Sequence, residues 1–159
     1  LAFAAALGLT GIDQVTSSQV AGDQAWAGVG HALPERPAAT AAVVHLVRLG
    51  TGVDRPWEVV GTHDTTLTLD TPAYGTAAGS PVAVGGEITG VDESLRVQVR
   101  SAGAARPLGD TCCLPAGGER QRWATTVTVH GRGLATIVVS TGGHVAEVER
   151  FAVTAVLLR

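Results

Sequence analysis

The chain has 159 residues, of which 45% are apolar and 16% are charged, and its formal net charge is −3. This length corresponds to one or two small domains, and the composition excludes a disordered chain in favour of a globular one with a buried core. The basic residues are scattered and form no basic stripe, so we expect no nucleic-acid partner. With 4% aromatic residues and no Met, the core must consist largely of Val, Leu, Ala and Ile, a composition that favours strands.

The first 70 residues predict a short helix followed by an antiparallel meander. Leu1–Leu7 is an Ala-rich apolar segment closed by Gly8, which is typical of the C-terminal end of a helix. The alternating or apolar runs that follow are typical of strands. A helix packed on such a meander is a small α+β domain, which we predict for residues 1–70. The predicted strands are Gln14–Ala21, Gln24–Leu33, Thr40–Leu49, Trp57–Val60 and Thr65–Leu69.

The chain begins without Met on an apolar segment, so we expect it to be a fragment of a longer protein. This expectation leaves room for a signal peptide, a lipid anchor or a membrane helix upstream of Leu1. Within the sequence itself, no apolar run approaches the ~20 residues that a membrane-spanning helix needs. We therefore predict that the fragment does not span a membrane.

The second half predicts an all-β immunoglobulin-like sandwich over residues 71–159. It follows a segment rich in Gly, Ala, Pro and Ser, Asp70–Ser80, which is typical of a linker. Leu95–Arg100 alternates apolar and polar residues, the pattern of a half-buried strand, and short strands separated by turns are typical of a sandwich. A phase change near Glu149–Arg150 predicts a β-bulge. Ala102–Arg120, which has no periodicity, predicts a long loop, with an edge strand within it as the open alternative. The predicted strands are Val82–Ile88, Leu95–Ser101, Trp123–His130, Leu134–Ser140 and Ala146–Leu158.

Four motifs of the second half suggest a family. They are Asp70–Pro72 (DTP), Gly79–Gly86 (GSPVAVGG), Leu95–Arg100 (LRVQVR) and Glu147–Val153 (EVERFAV). Together they resemble the Gmad2-type immunoglobulin-like domain, a bacterial module of spore-germination and cell-envelope proteins. With the segment Arg48–Thr62 before it, the chain also resembles uncharacterised actinobacterial envelope proteins. The resemblance implies an interaction or structural module without catalytic residues.

The adjacent residues Cys112 and Cys113 are the only cysteines. Neighbouring cysteines can form a vicinal disulfide but cannot connect distant strands, and no CxxC or HxxxH spacing supplies metal ligands. We therefore predict two thiols or one local disulfide in a loop, and no metal site. The sequence contains no Gly-x-Ser-x-Gly motif and no strand–GxGxxG–helix pattern, so we predict neither an enzyme nor a cofactor.

Three side chains of the first half are the candidate surface for a ligand or partner: Trp26, Trp57 and His45. Each Trp lies in a strand signal, where anchoring the core is the ordinary role, and an exposed platform for sugars is the alternative. His45 shares a strand face with Val43 and Val47, which favours packing over metal binding. A pocket lined by the three side chains would indicate a ligand site.

These observations predict a non-catalytic interaction or structural module of a bacterial cell-envelope or spore-germination-related protein. We expect it outside the cytoplasm, with a protein or a cell-wall polymer as its partner. The alternative is a glycan- or small-ligand-binding protein that uses the N-terminal half. A small hydrolase or isomerase built on the same half would rest on fold analogy alone.

Overall fold

Two β-sheets make up most of the structure, a computed structural model that describes residues 2–9, 11–142 and 148–159. The N-terminal sheet is an antiparallel meander of four consecutive strands, preceded by one short helix, α1 (Ala2–Ala6). Its strands are β1 (Gln14–Ala21), β2 (Gln24–Leu33), β3 (Arg36–Arg48) and β4 (Trp57–Thr62). The C-terminal sheet consists of β5 (Ala77–Ala78), β6 (Val82–Arg100), β7 (Gly109–Val127), β8 (Gly133–Thr141) and β9 (Phe151–Leu158). Its spatial order is β5-β9-β8-β6-β7.

The N-terminal sheet has one face toward the C-terminal sheet and one face away from it. Trp26 lies opposite His45, and the next pair along the two strands is Ala27 opposite Val44. Since successive side chains of a strand point to opposite faces, these two pairs lie on different sides of the sheet. Val44 is buried with residues of the C-terminal sheet, so its side is the inward face and the Trp26 side is the outward face. The predicted strands β1 and β2 are confirmed with their bounds.

The predicted N-terminal α+β domain is wrong, because α1 has only five residues. The helix ends in a Schellman motif, with Gly8 at φ 74°. Its amide donates to the Ala5 carbonyl, and the Leu9 amide donates to the Ala4 carbonyl, each at 3.0 Å. A helix this short cannot cover a sheet; Ala4 of α1 and Leu7, just after it, are buried at the inward face. The described part of the chain is therefore almost all β, as its content of Val, Thr and Gly favours.

Strands β6 and β7 form one long hairpin that bends over itself. The first part of β6 pairs with the end of β7, from Val82 opposite Val127 to Ile88 opposite Gln121. After register shifts between Ile88 and Val97, the rest of β6 pairs with the start of β7 and with β8. Side chains from both parts of β6 are buried in the same core, so the hairpin contributes to two packed layers. The sandwich-like architecture of the second half follows from this bend.

The loop predicted over Ala102–Arg120 ends early, since β7 begins at Gly109, and the edge strand left open for this segment is what the structure contains. Strand β7 is an edge strand, and most of its side chains before Trp123 are not buried. Burial on one face is what imposes an alternating sequence pattern on a strand, so this part of β7 has none. The bend of the hairpin likewise explains why the sequence pattern of β6 predicts two separate strands.

A first buried cluster fills the C-terminal sandwich and reaches back into the first half of the sequence. It includes Leu67, which is 1% exposed. The predicted strand Thr65–Leu69 does not form; instead Leu67 makes an isolated bridge with Ile88 of β6. The alternation of this segment reflects the packing of Leu67 and Leu69 against the sandwich core beside β6 and not a fifth strand of the meander.

A second buried cluster joins the two sheets. It includes Val44 of β3 and Phe151 and Val153 of β9. Across the same seam, the Val153 amide donates to Thr62 Oγ1 at 3.1 Å, and Arg150 Nη1 lies 3.2 Å from Asp64 Oδ2. The two halves of the chain thus share a core, and the proposed domain boundary at residue 70 stays a prediction.

Strand β9 begins later than predicted. Val148, Glu149 and Arg150 lie before the strand, so the predicted bulge at Glu149–Arg150 is not part of it. Ala146 and Glu147, which open the predicted strand, lie outside the described residues, as does Leu1 of the predicted helix.

Candidate functional site

Two of the three predicted surface residues come together on the outward face of the N-terminal sheet. Trp26 and His45 stack with their ring centroids 5.2 Å apart, and both side chains are half-buried. The Nε2 atom of His45 lies 3.0 Å from Oε1 of Gln24, within hydrogen-bonding distance. This contact holds the imidazole against the indole, so one face of each ring is covered by the other ring.

The third predicted residue, Trp57, lies on the opposite face of the sheet. Trp57 pairs with Arg48, and Val59 pairs with Leu46. Leu46 and Arg48 follow Val44 at intervals of two residues along β3, so both pairs lie on the inward face. The Arg48 guanidinium lies over the Trp57 ring, 4.7 Å from its centroid, in a cation–π contact. Trp57 therefore cannot form one surface with Trp26, and the three predicted residues do not line a common pocket.

A broad open groove lies on the outer face of the bent hairpin. Gly85 lies opposite Ala124, and Ala83 lies opposite Thr126, so small side chains form the floor. Their neighbour Val84 points the other way into the core, where it is 2% exposed. The groove has a volume of about 830 Å³.

One wall of this groove is the segment Thr68–Thr71, which lies against β6. The amides of Asp70 and Thr71 donate to the Gly85 carbonyl, each at 2.9 Å, and the Gly85 amide donates back to Thr71. A Cβ atom at Gly86 would stand only 2.1 Å from the Thr68 carbonyl oxygen. The close approach of the two backbones therefore requires glycine at position 86.

Charged groups form the rim of the groove. Glu87 Oε2 lies 3.2 Å from Arg120 Nη2, and Glu87 Oε1 lies 4.0 Å from Arg122 Nε. On the wall, Thr68 Oγ1 donates to Asp70 Oδ2 at 3.0 Å. Asp70 and Arg122 line the groove and are exposed. Carboxylates accept hydrogen bonds and guanidinium groups donate them, so the rim can bind hydroxyl or amide groups above a flat floor.

A second, smaller cavity of about 210 Å³ lies at the seam between the two sheets. A row of cross-strand neighbours, Arg96, Ser140 and Phe151, contributes one side of it, and His31 and Glu149 contribute further polar groups. Ser140 is 8% exposed, and its hydroxyl forms no hydrogen bond with the described residues. The cavity is completed by Leu7, Gly8, Leu9, Ile12, Gln98 and Val138.

The chain leading into β1 holds His31 at the seam. Asp13 is tied to β2, because its amide donates to the Gly30 carbonyl at 3.0 Å and its Oδ1 accepts from the Ala32 amide at 3.1 Å. Gly11, at φ 87°, lies so close to His31 that a Cβ atom there would stand 2.8 Å from the ring. The glycine thus permits the approach of this segment to the imidazole.

Charge in the seam cavity is largely compensated. Arg96 pairs with Asp110, and this hydrogen bond lowers the pKa of Asp110 below its ordinary value. Gln98 Nε2 also donates to Asp110 at 3.3 Å, while Gln98 Oε1 accepts from Arg100 Nη1 at 3.1 Å. Glu149 lies close enough to Arg96 to stabilise its charge. One guanidinium, of Arg96, and one carboxylate, of Glu149, line the cavity, which therefore suits a small neutral ligand with hydrogen-bonding groups.

A hydroxyl, an imidazole and a carboxylate line this one cavity, the three kinds of group that make up a hydrolytic triad. A nucleophilic Ser needs its base within hydrogen-bonding distance. Neither Ser140 nor His31 has a hydrogen-bond partner for its side chain in the described structure, so no activated nucleophile is assembled.

Sequence reasoning missed both the groove and the seam cavity. The Gly85-Gly86 pair inside a strand was a usable signal, because glycine in a strand interior often marks the close approach of another backbone. A second usable signal was the polar residue Ser140 at the end of the apolar run of β8. Neither signal identifies the residues that complete the groove or the cavity, because those residues come from distant parts of the chain.

Comparisons with known proteins identify no relative. A scan against models of protein families, a search of curated proteins and a search of solved structures each found no match. In the part of the chain that the structure describes, no cluster of three or more His, Cys, Asp or Glu side chains is placed to hold a metal ion. No helix among the same residues is long and apolar enough to cross a membrane.

Proposed function

We propose that the chain is a non-catalytic interaction module of a bacterial cell-envelope protein and that it attaches to a cell-wall polymer. The groove on the outer face of the β6–β7 hairpin carries this proposal. Its flat floor of Ala83, Gly85 and Ala124 accepts the apolar face of a sugar ring, and its rim offers carboxylate and guanidinium groups to the hydroxyls. An open groove of about 830 Å³ can hold part of a chain that continues beyond it on either side.

The location outside the cytoplasm is part of the proposal, and the Cys112–Cys113 disulfide supports it. Disulfides persist in oxidising compartments and are rare where cellular thiols keep cysteines reduced. The kinship of residues 71–159 with Gmad2-type immunoglobulin-like domains is likewise a proposal. An all-β, sandwich-like architecture is compatible with it.

Co-sedimentation with purified insoluble cell wall tests this function. We expect the protein to pellet with the wall and the Ala124→Arg variant, whose side chain fills the floor, to stay in the supernatant. Ala104→Arg places the same charge on an exposed turn outside the groove and should pellet normally. Failure of the unmodified protein to pellet, or equal pelleting of both variants, would contradict the proposal.

A second candidate function, small-ligand binding that involves the N-terminal half, is favoured by the seam cavity. That cavity combines the apolar side chains Leu9 and Ile12 with the hydroxyl of Ser140, which has no partner among the described residues. Titration with neutral monosaccharides, followed by NMR amide shifts, should perturb residues around the cavity, and Ser140→Ala should weaken the effect. Ser18→Ala, on exposed β1, is the matched control. Shifts confined to the groove would instead support the first function.

A further inference from the structure

The Cys112–Cys113 disulfide occupies a β-bulge on the outer strand of the C-terminal sheet. In the β6–β7 pairing, Leu95 lies opposite Leu114 and Val97 lies opposite Thr111. One residue of β6, Arg96, therefore faces the two bonded cysteines of β7. A β-bulge places two residues of one strand opposite one residue of the partner strand, so Cys112 and Cys113 are the two residues of this bulge.

The disulfide is open to solvent and its backbone is unusual. Both Cys112 and Cys113 are exposed, on a strand that has no neighbour on its other side in the described sheet. Cys113 has φ 67°, in the left-handed region that residues other than glycine seldom adopt. The covalent ring holds two adjacent residues together, and opening it removes that constraint from the bulge.

The bulge lies next to an ion pair of this sheet and to the core. Asp110, two residues before the disulfide, accepts hydrogen bonds from the Arg96 guanidinium. Leu114, the residue directly after it, packs against the buried cluster of the sandwich. A shift of one residue in the register of a strand moves its side chains to the opposite face. A change at the bulge therefore acts on both Asp110 and Leu114.

We propose that Cys112–Cys113 is a thiol–disulfide exchange site, whose substrates are dithiol reductants, and that its redox state sets the backbone conformation of the bulge. A thiolate of the dithiol attacks one sulfur, a mixed disulfide forms, and the other cysteine leaves as a thiolate that takes up a proton. The second thiol of the reductant then attacks its own sulfur in the mixed disulfide. The second cysteine is released as a thiol, and the two electrons gained by the protein come from the dithiol, which becomes a cyclic disulfide.

The reduced form exposes two adjacent thiols beside Arg96. A thiolate is the form that reacts with oxidants and other disulfides. The same exchange in reverse restores the disulfide when a disulfide-bearing oxidant is present. The site can therefore pass between two covalent states while the rest of the sandwich stays folded.

Reduction of the folded protein tests the exchange step. We expect dithiothreitol without denaturant to release two thiols, which alkylation and mass spectrometry count, at a rate close to that measured in urea. We expect phenylarsine oxide, which bridges two neighbouring thiols, to trap the reduced protein. Glutathione as a monothiol arm should give the mixed disulfide and little full reduction. A disulfide that yields thiols only after unfolding would overturn the proposal.

Amide NMR spectra test the conformational step. Reduction should shift the resonances of Arg96 and of residues 110–114 and leave those of the N-terminal sheet unchanged. The Cys112→Ser/Cys113→Ser variant should give the reduced pattern with or without dithiothreitol, and its far-UV circular dichroism establishes that it folds. Identical spectra of the oxidised and reduced protein near the bulge would also overturn the proposal.

Discussion

Trp26 and His45 stack across β2 and β3 with ring planes only 2° from parallel. The pair lies on the outward face of the N-terminal sheet, where Gln24 holds the imidazole through its side-chain amide. Cross-strand pairs of flat rings stabilise a sheet by more than the area they bury. The stack therefore has a structural role that is independent of any ligand.

Replacing His45 with Ala should lower the free energy of unfolding by about 1 kcal/mol, because the ring contact and the bond to Gln24 are both lost. Urea unfolding followed by circular dichroism measures the change. His130→Ala is the matched control, since His130 is exposed in the segment between β7 and β8. Equal stability of the two variants would show that the stack contributes nothing.

The ion pair of Asp110 with Arg96 should make stability depend on pH in the acid range. The hydrogen bond from Arg96 lowers the pKa of Asp110 from its ordinary value of 3.8, so the folded state favours the carboxylate. This contribution is present above pH 3.8 and is lost as the pH falls through the lower pKa of the folded state. Because the pair is partly exposed, we expect about 0.5–1 kcal/mol at neutral pH.

Asp110→Asn tests this dependence. The difference in free energy of unfolding between the unmodified protein and the variant should be constant near neutral pH and shrink as the pH falls below 3.8 and Asp110 becomes protonated. Urea titrations across this range measure it. A difference that does not change with pH would contradict the assignment.

Leu67→Ala should destabilise the protein by about 2–5 kcal/mol, the usual range for a cavity in a packed core. Leu67 is 1% exposed and belongs to the cluster of the C-terminal sandwich. Val53→Ala, at a side chain that is 91% exposed, should change stability by less than about 0.5 kcal/mol. Thermal unfolding of both variants makes the comparison, and a small effect at Leu67 would contradict its place in this core.

Gly11→Ala should destabilise the protein more than Gly22→Ala. Both glycines have a left-handed backbone, with φ 87° and 60°, so each substitution costs about 1 kcal/mol in conformation. Only at Gly11 would the added Cβ meet a neighbour, the ring of His31 at 2.8 Å. The free energy of unfolding of the two variants separates the steric effect from the conformational one, and equal losses would contradict the close approach.

The shared core of the two sheets predicts that they unfold together. Trp26 and Trp57 report on the N-terminal sheet in a Trp123→Phe variant, and Trp123 reports on the sandwich when the other two are replaced by Phe. We expect coincident fluorescence transitions in urea, and a joint loss of about 3–5 kcal/mol on Phe151→Ala. Two separate transitions would instead support independent domains divided at residue 70.

The sequence predicted strands well where one face of the strand is buried. The alternation of Leu95–Arg100 and the apolar run of β3 predicted their strands because burial dictates those residues. At Gly109–Arg120 the sequence left a loop and an edge strand open, because an edge position removes that demand. At Thr65–Leu69 the predicted meander strand does not form, because Leu67 and Leu69 pack against the sandwich core beside β6. The α+β assignment was wrong because it treated a five-residue helix as a complete layer packed on the sheet.

The candidate sites were harder to predict, because they depend on contacts between distant residues. The groove requires the Thr68 carbonyl to lie against Gly86, and the seam cavity requires His31 to approach the sheet that contains Ser140. Alternation assigns a residue to a face of its own strand, but it says nothing about which other segment covers that face. Trp57 illustrates the point, since its separation from Trp26 follows from the pairing with Arg48.

Strand β7 also determines where an extended chain could add to the C-terminal sheet. Its free edge is interrupted by the disulfide bulge, by Pro115, which has no amide hydrogen to donate, and by the register shifts near Gly118. Gln121–Val127 is the longest part of β7 that keeps an uninterrupted register with β6. An extended polypeptide therefore finds its longest regular edge along this stretch, which carries the charge of Arg122, and the interruptions disfavour strand addition along the remainder.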